Sequence, residues 1–421
     1  MSLPDRPQLR NVEVSRARHN GTVYFALSDP TRFSHQTLLV PEPLGMYLAL
    51  ADGSRTLPEI ASAAVVRGAP MVPPGGLRDM FTRLDEALLL QNGAYALERA
   101  RRLDEYRSAP HRPPALAGLS YPAGVDELRK MLNEFEPDGP TAAPAPAERL
   151  KAIISPHIDY QRGGHSYATV WRRAAPHLQD VDLAVIFGTD HNGPGPRLTL
   201  TRQPYATPFG VLPADAGLVS RLAEALNADP SLEDHAFTDE FNHIGEHSVE
   251  LAAVWLHHAT GGRPVTVLPV LCGSLHEYWH AVEGTAPRPG TPADEPHIAA
   301  AVDILREEAA RRRTVFIAAA DLAHTGPAFG DAAPVGAADR DRVRDSDARL
   351  MDLAVRGNRD GLLAAIRSVS DADRVCGVAP LYLALWSAGA SEGEWMGYRQ
   401  CPADSGNGSF VSVAGALLYE P

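Results

Sequence analysis

The strongest pattern along the chain is an apolar run that stops abruptly at a histidine, and it occurs twice. Ile153-Ile154-Ser155-Pro156-His157-Ile158-Asp159-Tyr160 and Val185-Ile186-Phe187-Gly188-Thr189-Asp190-His191 each read as a buried strand ending in polar residues and a turn. Similar runs predict strands over 151–155, 183–187, 265–271, 315–319, 394–400 and 410–418. Helical spacing predicts helices over 125–135, 167–174, 216–226, 247–258, 296–312, 338–356 and 379–387. Such alternation implies an α/β fold, a mixed, mostly parallel sheet flanked by helices. Ligands of open α/β sheets bind beyond the carboxyl ends of the strands, where two histidines could share a metal ion.

The first 112 residues read differently. Leu44–Leu50 predicts a short helix. Thr56 is placed to cap a second helix over Leu57–Val66, with Glu59 completing a capping box. A third helix over Leu77–Leu90 carries Leu77, Met80, Phe81, Leu84 and Leu88 on one face. Gln91-Asn92-Gly93 reads as a hairpin turn between Leu88–Leu90 and Ala94–Leu97. Three small helices and a terminal hairpin make a winged-helix-like α+β domain over 1–112. The Pro-rich stretch 108–114 reads as a stiff, solvated linker, and Pro140–Pro146 as a second polar bridge. The large domain spans 115–421.

Composition narrows the function. A length of 421 residues favours two domains, and 44% hydrophobic residues suffice for a sizeable core. The net charge of -13 argues against nucleic acid as a partner, as do 13 arginines against 12 acidic residues over 1–111. A winged helix that reads DNA is therefore disfavoured; peptide binding, or a docking or dimerisation role, stays open. No apolar run has the length of a bilayer span and no signal-peptide pattern opens the chain, so a cytoplasmic protein without a membrane partner is expected. Three cysteines make no disulfide framework, and Cys272, inside an apolar run, reads as a packing residue.

Five places put reactive groups where an element begins or ends. These are His157, His191, the helix-opening pair Glu246-His247, the strand-ending Asp321 with His324, and Cys376 ahead of a helix with Pro380 in its first turn. A cysteine before a helix N-terminus has its thiolate favoured by the dipole, which suits a metal ligand or a nucleophile. His165, His177, His235, His257, His258 and His276 read as packing or surface residues, and His243 as a candidate to line a mouth.

Pro156-His157-x-x-Tyr160, Gly188-x-x-His191, Glu246-His247-Ser248-x-Glu250, Asp321-x-x-His324 and Cys376-Gly377-x-x-Pro380 occur in this order. With Ala117-Gly118-x-x-Tyr121 and Ala414-Gly415-Ala416-Leu417, the set resembles the Memo family, including the B component of AmmeMemoRadiSam systems. The resemblance covers about 115 to 421. It implies a fold similar to class III extradiol dioxygenases of the LigB type and a mononuclear metal site on His157, His191 and Cys376. It also implies an acid–base role for His324. The sequence departs from the family where Asn192 follows His191, Asp159 precedes Tyr160 and Val378 follows Gly377. The stretch Leu38–Leu97 resembles PqqD-like, peptide-recognising winged domains, which implies a peptide partner.

Two imidazoles and a thiolate suit Fe(II), with Cu or Zn as alternatives. The expectation is a non-haem iron oxygenase or related redox enzyme acting on a small aromatic or peptide-borne substrate. Asp321 would orient His324 or a ligand, and His247 and Glu246 would line the open face. Tyr160 would donate to a bound oxygen or anchor a ring, with Asp159 and Asp190 as supporting partners. Two rivals stand beside it: zinc hydrolysis with Glu246 or His324 as base, and a non-enzymatic peptide-binding scaffold.

Overall fold

Alternating burial in the apolar runs organises this computed structural model, which describes residues 3–31, 33–34, 36–137, 149–193, 195–228, 236–281, 285–390 and 392–420. The expected bridge at Pro140–Pro146 and His235 lie outside the described residues. The chain divides into two units, Met1–Ser108 and Ala109–Pro421.

In the first unit, strands β1 (Glu13–His19), β2 (Thr22–Ser28) and β3 (Leu38–Pro41) form an antiparallel sheet in that order. Helices α1 (Gly45–Ala49), α2 (Leu57–Val66), α3 (Pro74–Glu86) and α4 (Gly93–Ser108) follow. The capping box is present: the Thr56 N–H donates to Glu59 Oε2 at 2.8 Å. The hairpin expected at 88–97 is not. Asn92 instead caps α4, its side-chain oxygen accepting from the Tyr95 N–H at 3.0 Å, because asparagine serves a helix start as well as a turn. The third helix stops at Glu86, short of Leu90, and Leu88 adopts φ 56° just beyond it. A hairpin does occur, but ahead of the helices. Asn20 and Gly21, with φ of 49° and 80°, close β1 on β2 as a two-residue turn requires.

The second unit opens with α5 (Val125–Glu134), β4 (Leu150–Ser155), α6 (Tyr160–Ala174) and β5 (Leu183–Thr189). Short strands β6 (Leu198–Leu200), β7 (Tyr205–Thr207) and β8 (Gly210–Leu212) come next, then α7 (Ala216–Leu226), α8 (His247–Ala259) and β9 (Thr266–Cys272). The chain continues through α9 (Pro296–Arg311), β10 (Thr314–Ala319), β11 (His324–Thr325), α10 (Ala337–Val355), α11 (Arg359–Ser368) and α12 (Val378–Ala388). It closes with β12 (Glu392–Pro402) and β13 (Phe410–Tyr419). The expected α/β architecture is present, with extra short strands and α11 added.

Strands β4, β10, β5 and β9 lie parallel and adjacent in that order. Antiparallel β13 and β6 flank them, with β11 and β12 on β13. Successive residues face opposite layers. Ile154, Val185, Phe187, Leu268 and Phe316 pack with α7 and α9 to α12. Ile153, Ala184, Ile186, Val267 and Ile317 pack with α5, α6 and α8. Burying each large aliphatic or aromatic side chain contributes about 1.5–3 kcal/mol, so these two cores hold the strand ends in place.

The register matters most for function. Ala319 pairs with both Ser155 and Gly188. The carboxyl ends of β4, β10 and β5 therefore stop level, and the residues just beyond them converge.

Candidate metal centre

His157 lies two residues past the end of β4 and is buried. Its Nδ1 faces the Ala319 carbonyl at 2.9 Å. A carbonyl only accepts, so Nδ1 carries the proton and Nε2 keeps its lone pair. Asp321, two residues past β10, fixes the turn that carries His157: its Oδ1 accepts from the backbone N–H groups of His157 at 2.8 Å and Ile158 at 3.2 Å. Asp321 thus pins the turn that carries His157 through backbone hydrogen bonds. Burial raises its carboxyl above the usual range, against the two backbone donors.

His191 follows β5 and His247 opens α8. Gly188 permits this pairing, because a Cβ there would stand 2.5 Å from Ser248 Oγ and 2.6 Å from Val249 Cγ2. The Ser248 hydroxyl donates to the Thr189 carbonyl at 3.0 Å, stitching the start of α8 to the end of β5. The rings of His191 and His247 stack 4.6 Å apart, and His157 stands 5.2 and 5.5 Å from them.

Glu246 joins these two rings. Its carboxylate lies 3.1 Å from His191 Nδ1 and 3.1 Å from His247 Nδ1. It also accepts the N–H groups of His247 at 2.8 Å and Ser248 at 2.9 Å as the cap of α8. Burial alone would raise this carboxyl; the adjacent imidazoles outweigh it and hold Glu246 well below its ordinary value. Burial likewise works against a charged His191, and Glu246 overcomes it, so His191 titrates above an ordinary histidine. The His157 imidazole is driven well below by burial and by the two neighbouring rings.

One ligand atom from each of His157, His191 and His247 lies within 4.8 Å of the others. Cys376 Sγ stands 3.3 Å from His157 Nε2. A nitrogen and a sulfur on one ion, at about 2.0 and 2.3 Å with angles near 90–110°, lie roughly 3.0–3.5 Å apart, so this pair fits a shared metal. Gly377 lets the cysteine loop approach: a Cβ there would meet Ala320 Cβ at 2.5 Å and the Asp321 carbonyl oxygen at 2.6 Å. Burial, then Asp321, push the Cys376 thiol well above its usual value, whereas the helix dipole alone had suggested the reverse. A cation at the imidazole cluster would favour the thiolate instead.

His324, on β11, completes the ring of groups. Its Nδ1 faces the Leu322 carbonyl at 3.1 Å, which leaves Nε2 free, and burial lowers its imidazole. Beside the centre is a cleft of about 310 Å³ lined by His191, Cys376, Asp190, Trp279, Asp371 and Arg374 among others.

Comparison with known proteins agrees with this arrangement. A family model described as Memo-like protein matches residues 112–417. The chain belongs to the Memo family. A MEMO1 family protein of Methanopyrus kandleri is 28% identical over 73% of this chain and 98% of its own length. One from Aquifex aeolicus is 23% identical over 94% of this chain and 96% of its own length, and one from Thermus thermophilus 26% over 74% and 83%.

Within this Memo domain several expected roles need correction. Tyr160 does not reach the centre. It is fully buried, its hydroxyl donates to the Leu251 carbonyl at 2.7 Å, and its ring packs on Tyr121, Tyr167 and Trp255. Glu246 does not line an open face; it is buried behind the histidines, its oxygens occupied. Asp159 caps α6, accepting from the Arg162 N–H at 3.1 Å. Asp190 is held by the Asn242 amide at 3.0 Å, and burial pushes its carboxyl up to about 6. His243 lines no mouth. It is fully buried against the Tyr205 hydroxyl and the Thr199 carbonyl, and burial takes it down to about 3. Cys272 is a buried packing residue, as expected. No helix among the described residues is long and apolar enough to cross a membrane.

Proposed function

We propose that this Memo protein is a mononuclear metalloenzyme of redox type, a non-haem Fe(II)-dependent oxidoreductase acting on a small aromatic or peptide-borne substrate. The observation that carries the reading is the cluster of three imidazoles, one ligand nitrogen of each within 4.8 Å of the others, with Cys376 Sγ 3.3 Å from the His157 Nε2 that its Nδ1 contact leaves free. His157, His191 and Cys376 would hold the ion, with His247, which clusters with the other two imidazoles, as a further candidate ligand; this nitrogen–sulfur set suits Fe(II), Cu and Zn. When bound, the metal supplies Lewis acidity and, for iron or copper, a redox couple. Glu246 fixes ring orientation and tautomer. His324 is neutral near pH 7, and its Nε2 is free to take or give a proton. The adjacent cleft would seat the substrate.

A zinc hydrolase is the weaker reading. Its base cannot be Glu246, whose oxygens are already committed to two rings and two backbone amides, which leaves His324 alone. Anaerobic reconstitution with Fe(II), Cu(I) or Zn(II), followed by an oxygen-uptake screen against catechols and peptides, tests the choice. Uptake with Fe(II) alone supports the proposal; hydrolysis with Zn(II) and no uptake with any metal rejects it.

The first unit adds a peptide partner to the proposal. A groove of about 190 Å³, lined by Leu38, Val40, Met80 and Leu84 among others, runs between β3 and α3. β3 ends its sheet, so an extended peptide could add to its free edge. Capture of peptides by the full chain, lost on Met80→Glu, supports this partner; capture unchanged by that substitution counts against it.

A further inference from the structure

We propose that Arg112 is a positioning residue for the metal centre, acting through the backbone that carries Glu246. The inference rests on the reading of the histidines as metal ligands.

Arg112 was expected in a solvated linker, yet it is fully buried. Its Nε donates to the His243 carbonyl and its Nη2 to the Glu246 carbonyl at 3.0 Å. Its Nη1 donates to Glu250 Oε2 at 2.6 Å and to the Pro113 carbonyl at 3.1 Å, and the guanidinium lies 4.7 Å over the Tyr205 ring. A planar fork suits this geometry, since one cation reaches a carboxylate and, besides that of Pro113, two carbonyls of the segment ahead of α8.

The two carbonyls bracket the segment that leads into α8 and ends at Glu246. That residue's carboxylate is the shared partner of His191 and His247. Glu250 sits one helical turn further on and anchors the other side. It accepts from the N–H groups of Ala115 at 2.8 Å and Leu116 at 2.9 Å, and from the Tyr121 hydroxyl. The strap from 112 to 121 is thereby stitched to the helix that begins with His247. If the segment shifts, Glu246 can no longer serve both ring nitrogens at 3.1 Å, and one imidazole is free to move its proton to Nε2 and lose its ligand lone pair.

The test compares Arg112→Lys with Tyr121→Phe in the full chain. Lysine keeps the positive charge beside Glu250 but cannot reach both carbonyls in fork geometry. Tyr121→Phe removes a hydrogen bond from the same carboxylate and leaves the 243–246 carbonyls alone. Ring 15N shifts of His191 and His247 in metal-free protein report the tautomers, and chelator competition with Zn(II) reports affinity. Arg112→Lys is expected to mix the tautomers and weaken Zn(II) binding about 10–100-fold, the range seen for partners that orient metal ligands. Tyr121→Phe is expected to leave both readouts within twofold of wild type. If Arg112→Lys does not fold, Arg112→Met with Glu250→Met removes the buried pair together at similar volume and takes its place, with the same expected loss. A folded variant of either kind with wild-type tautomers and affinity overturns the proposal, as does an equal loss in Tyr121→Phe. If the wild type itself binds no metal, the metal reading fails, and the tautomer comparison still decides the role of Arg112.

Discussion

Replacing Glu246 with glutamine probes the centre through one atom. The carboxylate accepts from His191 Nδ1 at 3.1 Å, lies 3.1 Å from His247 Nδ1, and caps α8 through two backbone amides. Glutamine keeps a carbonyl oxygen for the helix cap, so stability falls by less than the roughly 1 kcal/mol of a lost cap. Oε1 alone stands by both rings and both capping amides, so the loss falls at Oε2, which lies 3.1 Å from His191 Nδ1 and 3.3 Å from the His191 N–H and becomes a donor in glutamine. An amide N–H directed at one Nδ1 requires that ring to carry its proton on Nε2, which removes a ligand lone pair. Substitutions at such orienting partners cost about 10–100-fold in metal affinity, or about 1.4–2.8 kcal/mol. Chelator competition with Zn(II) and Co(II) measures the affinity, and thermal unfolding of the metal-free chain controls for stability. An affinity within twofold of wild type would refute the claim that Glu246 sets the ligand tautomers.

Three other substitutions separate the remaining roles. His324→Gln should retain metal within about threefold and lose turnover by about 10²–10⁴-fold, as expected of a general acid–base group; an undiminished rate would remove His324 from the chemistry. Tyr160→Phe should cost about 1 kcal/mol through the lost hydrogen bond to the Leu251 carbonyl and leave metal binding unchanged; a tenfold weaker metal affinity would return Tyr160 to the centre. Burial raises the Asp347 carboxyl from 3.8 to about 7, so the folded chain favours its protonated form and loses stability as pH rises from about 4 through 7. At about 1.36 kcal/mol per unit this amounts to roughly 4 kcal/mol at most. The advantage of Asp347→Asn in urea melts should therefore grow between pH 4.5 and pH 8, and a gap that does not change with pH contradicts the reasoning.

The strand ends were legible because a buried run that halts at polar residues has few other meanings. His157, His191 and Asp321 with His324 stand out that way, and Cys376 as the cysteine ahead of a helix start. Their convergence was not legible, because it depends on β10 lying between β4 and β5 in register, a long-range pairing with no local signature. Tyr160 misled through proximity to His157; in the first turn of α6 its side chain turns toward Trp255. Glu246 looked like a base because a carboxylate beside a histidine often is one, and only coordinates reveal that its oxygens are taken. Asn-Gly carried two meanings in one chain, a turn at Asn20-Gly21 and a helix start at Asn92-Gly93. Prolines around Arg112 suggested a spacer and hid a buried cation whose partners lie about 130 residues away.

The central claim is that one ion binds where β4, β5, α8 and the cysteine loop meet. Metal content and X-ray absorption of anaerobically purified protein, wild type beside Cys376→Ser, test it most directly. The account predicts one ion per chain, at least two imidazoles and one sulfur bonded to it, and loss of the sulfur signal in the variant. Less than a tenth of an ion per chain after anaerobic reconstitution, or a bound ion without imidazole neighbours, would contradict it.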